Sequence, residues 1–216
     1  MSRFNKLVFS VAALVVIASA GMTARADTIT IVGNETGQAS TATIVCEFNS
    51  QTNTLTFTVT NTSPGTSTIT GIGFDLPPLG NASASGLNGF TGMQAPSLSA
   101  NFTFSDAALG TVPGFNSAVL DFGFITGNSG NFNGGSPNDG LTPGESASFT
   151  VSGAAFSGFT AQQICNAVFV RFQGGAAGSD VGTPTTSTPE PSSILLLGSA
   201  LVGLGGVARR RLRMRG

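Results

Sequence analysis

The chain has 216 residues, of which 9% are charged and 8% aromatic, and its formal net charge is -1. Its nine basic residues lie at the two ends, except for Arg171, whereas all ten acidic residues lie between Asp27 and Glu190. The middle region therefore lacks the basic face that nucleic-acid binding needs, and the absence of His from the sequence excludes Ser-His-Asp and Cys-His catalysis.

The N-terminal segment has the order of a secretory signal peptide. Arg3 and Lys6 precede an apolar run at residues 7–18, and the small-x-small sites Ala18-Ser19-Ala20 and Ala24-Arg25-Ala26 follow. The apolar run is short for a membrane span. We predict a signal helix within residues 1–26 and cleavage after Ala26, with cleavage after Ala20 as the alternative.

Residues 27–173 are predicted to form one all-β domain. Residues 54–61, TLTFTVTN, alternate between apolar side chains and threonine, which is typical of a strand with one buried face. Similar segments, separated by Gly, Pro and Asn, lie at 28–32, 42–48, 67–76, 100–104, 118–125, 146–151 and 167–172. About eight strands predict an antiparallel β-sandwich of immunoglobulin-like or jelly-roll type, with at most one helical turn at 162–167.

Phenylalanine and cysteine are predicted to hold this domain together. Most Phe side chains in the strand-like segments are expected to form the core. Cys46 and Cys165 lie near the two ends of the domain, and after export they would meet conditions in which a disulfide persists. Two buried thiols are the alternative.

The C-terminal region changes composition twice. Residues 174–188 are rich in Gly, Thr and Ser, which predicts a flexible linker. After Pro189-Glu190-Pro191, residues 194–208 form an apolar run, which we predict to be a transmembrane helix. Five arginines follow the run and are expected to stay cytoplasmic as anchor charges, which would place the β domain on the exported side. They are Arg209, Arg210, Arg211, Arg213 and Arg215.

Pro189-Glu190-Pro191, the Leu/Gly-rich run and the arginine cluster together resemble the PEP-CTERM sorting signal of exported bacterial proteins. The resemblance covers residues 189–216 and starts Thr-Pro-Glu-Pro where Val-Pro-Glu-Pro is frequent. It implies that an exosortase, a membrane-embedded cysteine protease, cleaves near Pro-Glu-Pro and passes the protein to the cell surface or extracellular matrix. It also implies an association with exopolysaccharide and biofilm.

No residue pattern in the middle region predicts a catalytic, cofactor or metal site. A glycosidase-like reaction would need two carboxylates in one cleft, and the candidates are Asp75, Asp106, Asp121, Asp139 and Glu145. Asp121-Phe122-Gly123 and Gly71-Ile72-Gly73 lack the rest of the kinase and dinucleotide motifs, so we interpret them as structural, with Asp121 pointing outward from a strand.

We expect a non-catalytic surface or matrix protein whose partners are an exosortase, the membrane and, as a further candidate, extracellular polysaccharide. The first alternative is a β-sandwich module that binds glycan or calcium weakly. The loop at 128–139 offers oxygen ligands for calcium but only one carboxylate, Asp139. Without Trp or Tyr, a glycan contact would rely on Phe, Asn, Thr and Ser. The second alternative is the carboxylate hydrolase.

Overall fold

The computed structural model describes residues 26–33, 39–78, 89–96, 100–106, 109–127, 130–176 and 178–188. The predicted signal helix, Pro189-Glu190-Pro191, the predicted transmembrane helix at 194–208 and the arginine cluster lie outside these residues. In the described part of the chain, no helix is both long and apolar enough to cross a membrane.

The described chain is almost entirely β-structure. One short α-helix, α1 (Ala161–Cys165), begins with a capping box in which Thr160 and Gln163 satisfy each other's backbone N–H groups. Three turns of 3-10 helix lie at Phe132–Gly134, Pro137–Asp139 and Ala154–Phe156. The strands are β1 (Ala26–Gly33), β2 (Thr41–Asn49), β3 (Thr54–Asn61), β4 (Thr68–Phe74), β5 (Phe90–Gln94), β6 (Phe102–Ser105), β7 (Thr111–Val112), β8 (Phe115–Val119), β9 (Phe122–Thr126), β10 (Ser146–Gly153), β11 (Val168–Gly175) and β12 (Gly178–Thr188).

Ten strands form one antiparallel sheet in the order β5-β10-β3-β2-β1-β12-β11-β4-β9-β6. The sheet folds over so that its two halves face each other, and its edge strands β5 and β6 approach each other. The predicted antiparallel all-β class is therefore confirmed. The two facing layers are halves of a single hydrogen-bonded sheet, joined through the central pair β1–β12.

The space between the two halves is filled mainly by phenylalanine. The ring of Phe57 on β3 lies 5.2 Å from that of Phe74 on β4 and 5.1 Å from that of Phe149 on β10, measured between ring centroids. Phe124 on β9 contacts Phe149 across the core at 4.6 Å. Such aromatic pairs add about 0.5–1.5 kcal/mol each to the stabilisation from buried area. The predicted phenylalanine core is confirmed.

A second, smaller apolar cluster lies on the outer face of β4, β9, β11 and β12. Phe132 and Leu120 are buried there, and each lies against a glycine of β4. A Cβ atom on Gly73 would come within 2.5 Å of the Leu120 side chain, and one on Gly71 within 3.1 Å of the Phe132 ring. Gly71-Ile72-Gly73 is therefore structural, as predicted, because its glycines admit these side chains.

The eight predicted strand segments all contain strands, but the predicted linker is wrong over most of its length. Residues 178–188 form β12, which pairs with β1 on one side and β11 on the other. Val181 is the only large apolar side chain of this strand. A small residue is required at Gly182, where a Cβ would come within 2.7 Å of the Ile31 side chain. The hydrogen bonds of two neighbouring strands thus stabilise a segment with a loop-like composition.

Two further strands, β5 and β7, were not predicted, and β8 was predicted only at its last two residues, 118–119. The predicted segment at 118–125 instead divides at Asp121, where β8 has ended and β9 begins at Phe122. Asp121 is 1% exposed, so the prediction of an outward-pointing residue is wrong. The Asp121 carboxylate accepts a hydrogen bond from the backbone N–H of Leu76 at 2.8 Å.

Cys46 on β2 and Cys165 at the end of α1 form a disulfide, as predicted, with Cα atoms 6.0 Å apart. The bond joins residues 119 positions apart and fastens α1 against the sheet beside β1 and β2. Both cysteines are 1% exposed. The disulfide thus restrains a loop that contains most of the strands.

Replacing both Cys46 and Cys165 by Ser should lower the free energy of unfolding. For a loop of this length the chain-entropy model gives about 4–5 kcal/mol as an upper limit. Urea unfolding without reductant measures the loss. The control is the wild type with reductant, which should unfold at the same urea concentration as the variant. Equal midpoints for the variant and the oxidised wild type would contradict a stabilising role.

Candidate functional site

The two ends of the β domain lie side by side in the sheet. Thr28 of β1 is the register partner of Thr188 of β12, and the strands are antiparallel. The chain therefore enters the sheet at Ala26 and leaves it after Thr188 at the same end, which we call the terminus end. The turn at 50–53, the segment 154–167 with α1, and the disulfide also lie there. The opposite end, with the turns at 62–67 and 142–145, is called the distal end.

Two of the five candidate carboxylates, Asp75 and Asp121, come together at the terminus end. Asp75 follows β4, and its backbone N–H donates to the Ala167 carbonyl at 3.0 Å. Burial, together with the negative charge of Asp121, raises the pKa of Asp75 from 3.8 to about 6, although a hydrogen bond with the Val119 backbone opposes this. The structure thus unites two of the predicted carboxylate candidates.

The geometry of this pair is unfavourable for two-carboxylate catalysis. Asp75 lines an open cleft of about 450 Å³ together with Pro77, Gln162, Gln163 and Asn166. Asp121 does not line the cleft, because its carboxylate is buried and bound to the Leu76 backbone. A glycosidase needs one carboxyl group on each side of the scissile bond. The cleft presents a single carboxylate beside side-chain amides.

The other three candidate carboxylates lie in three different connecting segments of the described chain. The Asp106 side chain accepts a hydrogen bond from the Gly89 backbone at 3.2 Å. Glu145 accepts one from the Thr142 backbone at 2.8 Å and fixes a turn at the distal end. Asp139 ends a 3-10 helix and is exposed. Asp106 and Glu145 thus each accept a backbone hydrogen bond that accounts for their positions.

A groove of about 670 Å³ lies along the seam between edge strands β5 and β6. The side chain of Gln94 on β5 bridges the seam, donating to the Ala100 carbonyl at 2.9 Å and accepting from the Phe102 backbone N–H at 2.7 Å. The amide thereby substitutes for a pair of strand hydrogen bonds. Sequence reasoning missed this groove, because the segment FTGMQ carries no clear strand or binding pattern.

The groove is lined by neutral polar and apolar groups. Met93 is 69% exposed, and the half-buried ring of Phe104 lies against Gly92, where a Cβ would come within 2.1 Å of the ring. Asn101 and Asn138 are exposed on its polar side, and Asp139 is its one charged residue. Such a surface suits an uncharged ligand with hydroxyl groups better than an anion or a hard cation.

The loop at 128–139, an alternative calcium site, is held by apolar and backbone contacts in its described part. Phe132 is buried in the outer apolar cluster, and the Asn131 side chain accepts from the Asn133 backbone at 2.9 Å. The Asp139 carbonyl accepts from the Asn101 backbone N–H at 2.8 Å. Within the described ranges, no three Asp, Glu, His or Cys side chains come close enough together to hold a metal ion.

Comparison with known families places one match at the junction between the sheet and the C-terminal tail. Residues 187–211 match the family model of the PEP-CTERM protein-sorting motif. The match begins at the last two residues of β12. The chain carries a PEP-CTERM protein-sorting motif. The resemblance read from the sequence is thus confirmed, and the motif implies export, a membrane-anchored precursor and processing by an exosortase at the membrane. The comparisons matched no curated protein and no solved structure to the chain.

The raised pKa of Asp75 predicts a pH-dependent stability that Asp75→Asn should remove. Because the folded state favours the protonated carboxyl, the contribution is fully present below pH 3.8 and is lost as the pH rises to about 6. The shift corresponds to about 3 kcal/mol, which partial exposure reduces to about 1 kcal/mol. At pH 7 the variant should be the more stable protein by this amount, and at pH 4 the two should be similar.

Urea unfolding between pH 4 and pH 7 measures this difference. Glu47→Gln is the control, because it removes an exposed carboxylate of β2 and leaves the Asp75–Asp121 pair intact. The assignment fails if Asp75→Asn follows the wild type in parallel over the whole pH range.

Proposed function

We propose that this protein is a non-catalytic component of the cell surface or extracellular matrix. An exosortase releases its folded β domain from a C-terminal membrane anchor. The observation that carries the proposal is the sorting motif at 187–211, which starts where the sheet ends. Cleavage near Pro189-Glu190-Pro191 would remove the tail and leave every strand of the sheet intact.

The character of the domain supports a structural or adhesive role. Both cysteines are held in the disulfide, so neither is available as a nucleophile. The sequence contains no His, and the Asp75 cleft offers one accessible carboxylate. A disulfide-linked sheet with a dense aromatic core is also suited to persist outside the cell.

Weak binding of neutral polysaccharide is the second candidate function, and the groove between β5 and β6 favours it. Asn101 and Asn138 offer amide donors and acceptors, and Met93 and Phe104 offer apolar contact for sugar rings. The groove extends toward the distal end of the domain, since β6 begins opposite Thr126, the last residue of β9. In a tail-anchored precursor this end would point away from the anchor. The proposed link with exopolysaccharide and biofilm rests on such contacts.

Replacing both Pro189 and Glu190 by Ala should block processing. The wild type is expected in two forms, a transient precursor and a mature chain that starts at Asp27 and ends near Glu190. The variant should accumulate with its tail in the membrane fraction. Intact mass of the protein from membrane and from medium distinguishes these species, with Thr142→Ala in an exposed distal turn as the control. Normal processing of the variant would overturn the sorting proposal.

The polysaccharide role is tested by thermal unfolding with neutral exopolysaccharide purified from the producing cells. At ten times its Kd, a ligand stabilises the folded state by about 1.4 kcal/mol, or roughly 3–5 °C for a domain of this size. Asn101→Ala/Asn138→Ala should abolish the shift, because it removes both amides and keeps the Asn101 backbone hydrogen bond. Gly65→Ala is the control, since a Cβ there meets nothing within 4 Å. An equal shift in the Asn101→Ala/Asn138→Ala variant would exclude the groove as the site.

A further inference from the structure

We propose that the terminus end of the domain is a membrane-facing surface, held against the bilayer while the precursor awaits processing. The inference rests on the proposed function, because it takes the apolar segments at 7–18 and 194–208 as membrane-inserted. Beyond that function, the proposal states how the folded domain is oriented and which of its surfaces faces the membrane and the proteases in it.

The register of the central strand pair brings both processing sites together. Thr28 lies two residues after the predicted cleavage site at Ala26, and its partner Thr188 lies one residue before Pro189. The Cα atoms of paired residues in antiparallel strands are about 4.5–5.5 Å apart. The ends of the chain that lead to the two apolar segments therefore lie on neighbouring strands at the same end of the sheet. The structure assigns both cleavages to one end of the molecule.

The lengths of the connecting segments hold this end near the bilayer. Five residues, 189–193, separate Thr188 from the apolar run. At 3.3–3.6 Å per residue they reach at most about 18 Å when fully extended. The eight residues of β3 span about 26 Å along the strand direction. A domain oriented with its terminus end toward the bilayer therefore places its distal end up to about that much farther from the lipid.

The chemistry of the terminus end suits a position close to a lipid surface. The turn at 50–53 and the segment 154–167 contain no Asp, Glu, Lys or Arg. They present Ser, Thr, Gln and Asn, with Gln51, Gln162 and Gln163 exposed. Three exposed or half-exposed carboxylates also lie at this end: Asp75 in its cleft beside the glutamines, Glu47 and Asp106. Asp139 and Glu145 lie toward the distal end. The turn at 50–53 and the segment 154–167 thus form an uncharged polar part of the surface that faces the anionic lipids of a bacterial membrane.

Energy transfer from single fluorophores to acceptor-labelled lipid headgroups tests the orientation. The full chain is produced in a host without an exosortase and labelled at Gln51→Cys on the terminus end or at Gly65→Cys on the distal end. It is then reconstituted in vesicles of phosphatidylcholine and phosphatidylglycerol. Both positions are exposed, and a Cβ at Gly65 meets nothing within 4 Å, so neither change should disturb the fold.

Transfer from position 51 should exceed transfer from position 65 by at least about twofold, given the separation along the strands. Inserting twenty Gly/Ser residues between Thr188 and Pro189 should bring the two efficiencies together, because such a linker spans about 25 Å and lets the domain rotate freely. Equal or reversed transfer without the insertion would overturn the orientation and leave the sorting function intact. A chain that does not remain with the vesicles would overturn the anchor itself, and the orientation with it.

Discussion

The pairing of β1 with β12 is the interaction on which the rest of the structure depends. These strands come from opposite ends of the β domain and lie in the middle of the ten-stranded sheet, where their hydrogen bonds make the two halves one continuous sheet. The Phe57–Phe149 and Phe74–Phe122 stacks belong to different halves and meet through Phe57 and Phe74 in the core between the two layers. The disulfide between Cys46 and Cys165 acts on the same region, since it links β2, the neighbour of β1, to the helix that precedes β11.

Much of the sheet could be predicted from local sequence, because a strand with one buried face leaves a period of two in the chain. Residues 54–61 show this best, and β3 has these bounds. β12 could not be recognised in this way, since Thr, Ser and Gly cover most of its length and its stability comes from neighbours distant in sequence. The prediction that Asp121 points outward was wrong for a related reason. Its partner, the backbone N–H of Leu76, lies 45 residues away, and no local pattern reports such a contact.

The candidate sites differ in the same way: one is a contiguous sequence motif, and the other two are formed by residues that are distant in the chain. The sorting motif is a contiguous string of residues, so the sequence was sufficient to find it, and family comparison agrees. The Asp75 cleft and the groove between β5 and β6 are products of folding. The cleft unites residues following β4 with the helix before β11, and the groove depends on Gln94 reaching across from one sheet edge to the other. Neither set of residues is close in the chain, and only the strand order places them together.

The central position of β12 also determines when this protein can fold during secretion. β1 leaves the translocation channel early, but its partner follows about 160 residues later. If the chain emerges at the pace of synthesis, about 5–20 residues per second, β1 waits roughly 10–30 s for that partner. During this interval β2 and β3 can form a hairpin, while the edge of β1 that β12 will cover remains open to other chains. Arrest of the tail in the membrane coincides with the arrival of β12. Because β12 is the last strand of the sheet to be exported, the sheet can close only once the tail has reached the membrane.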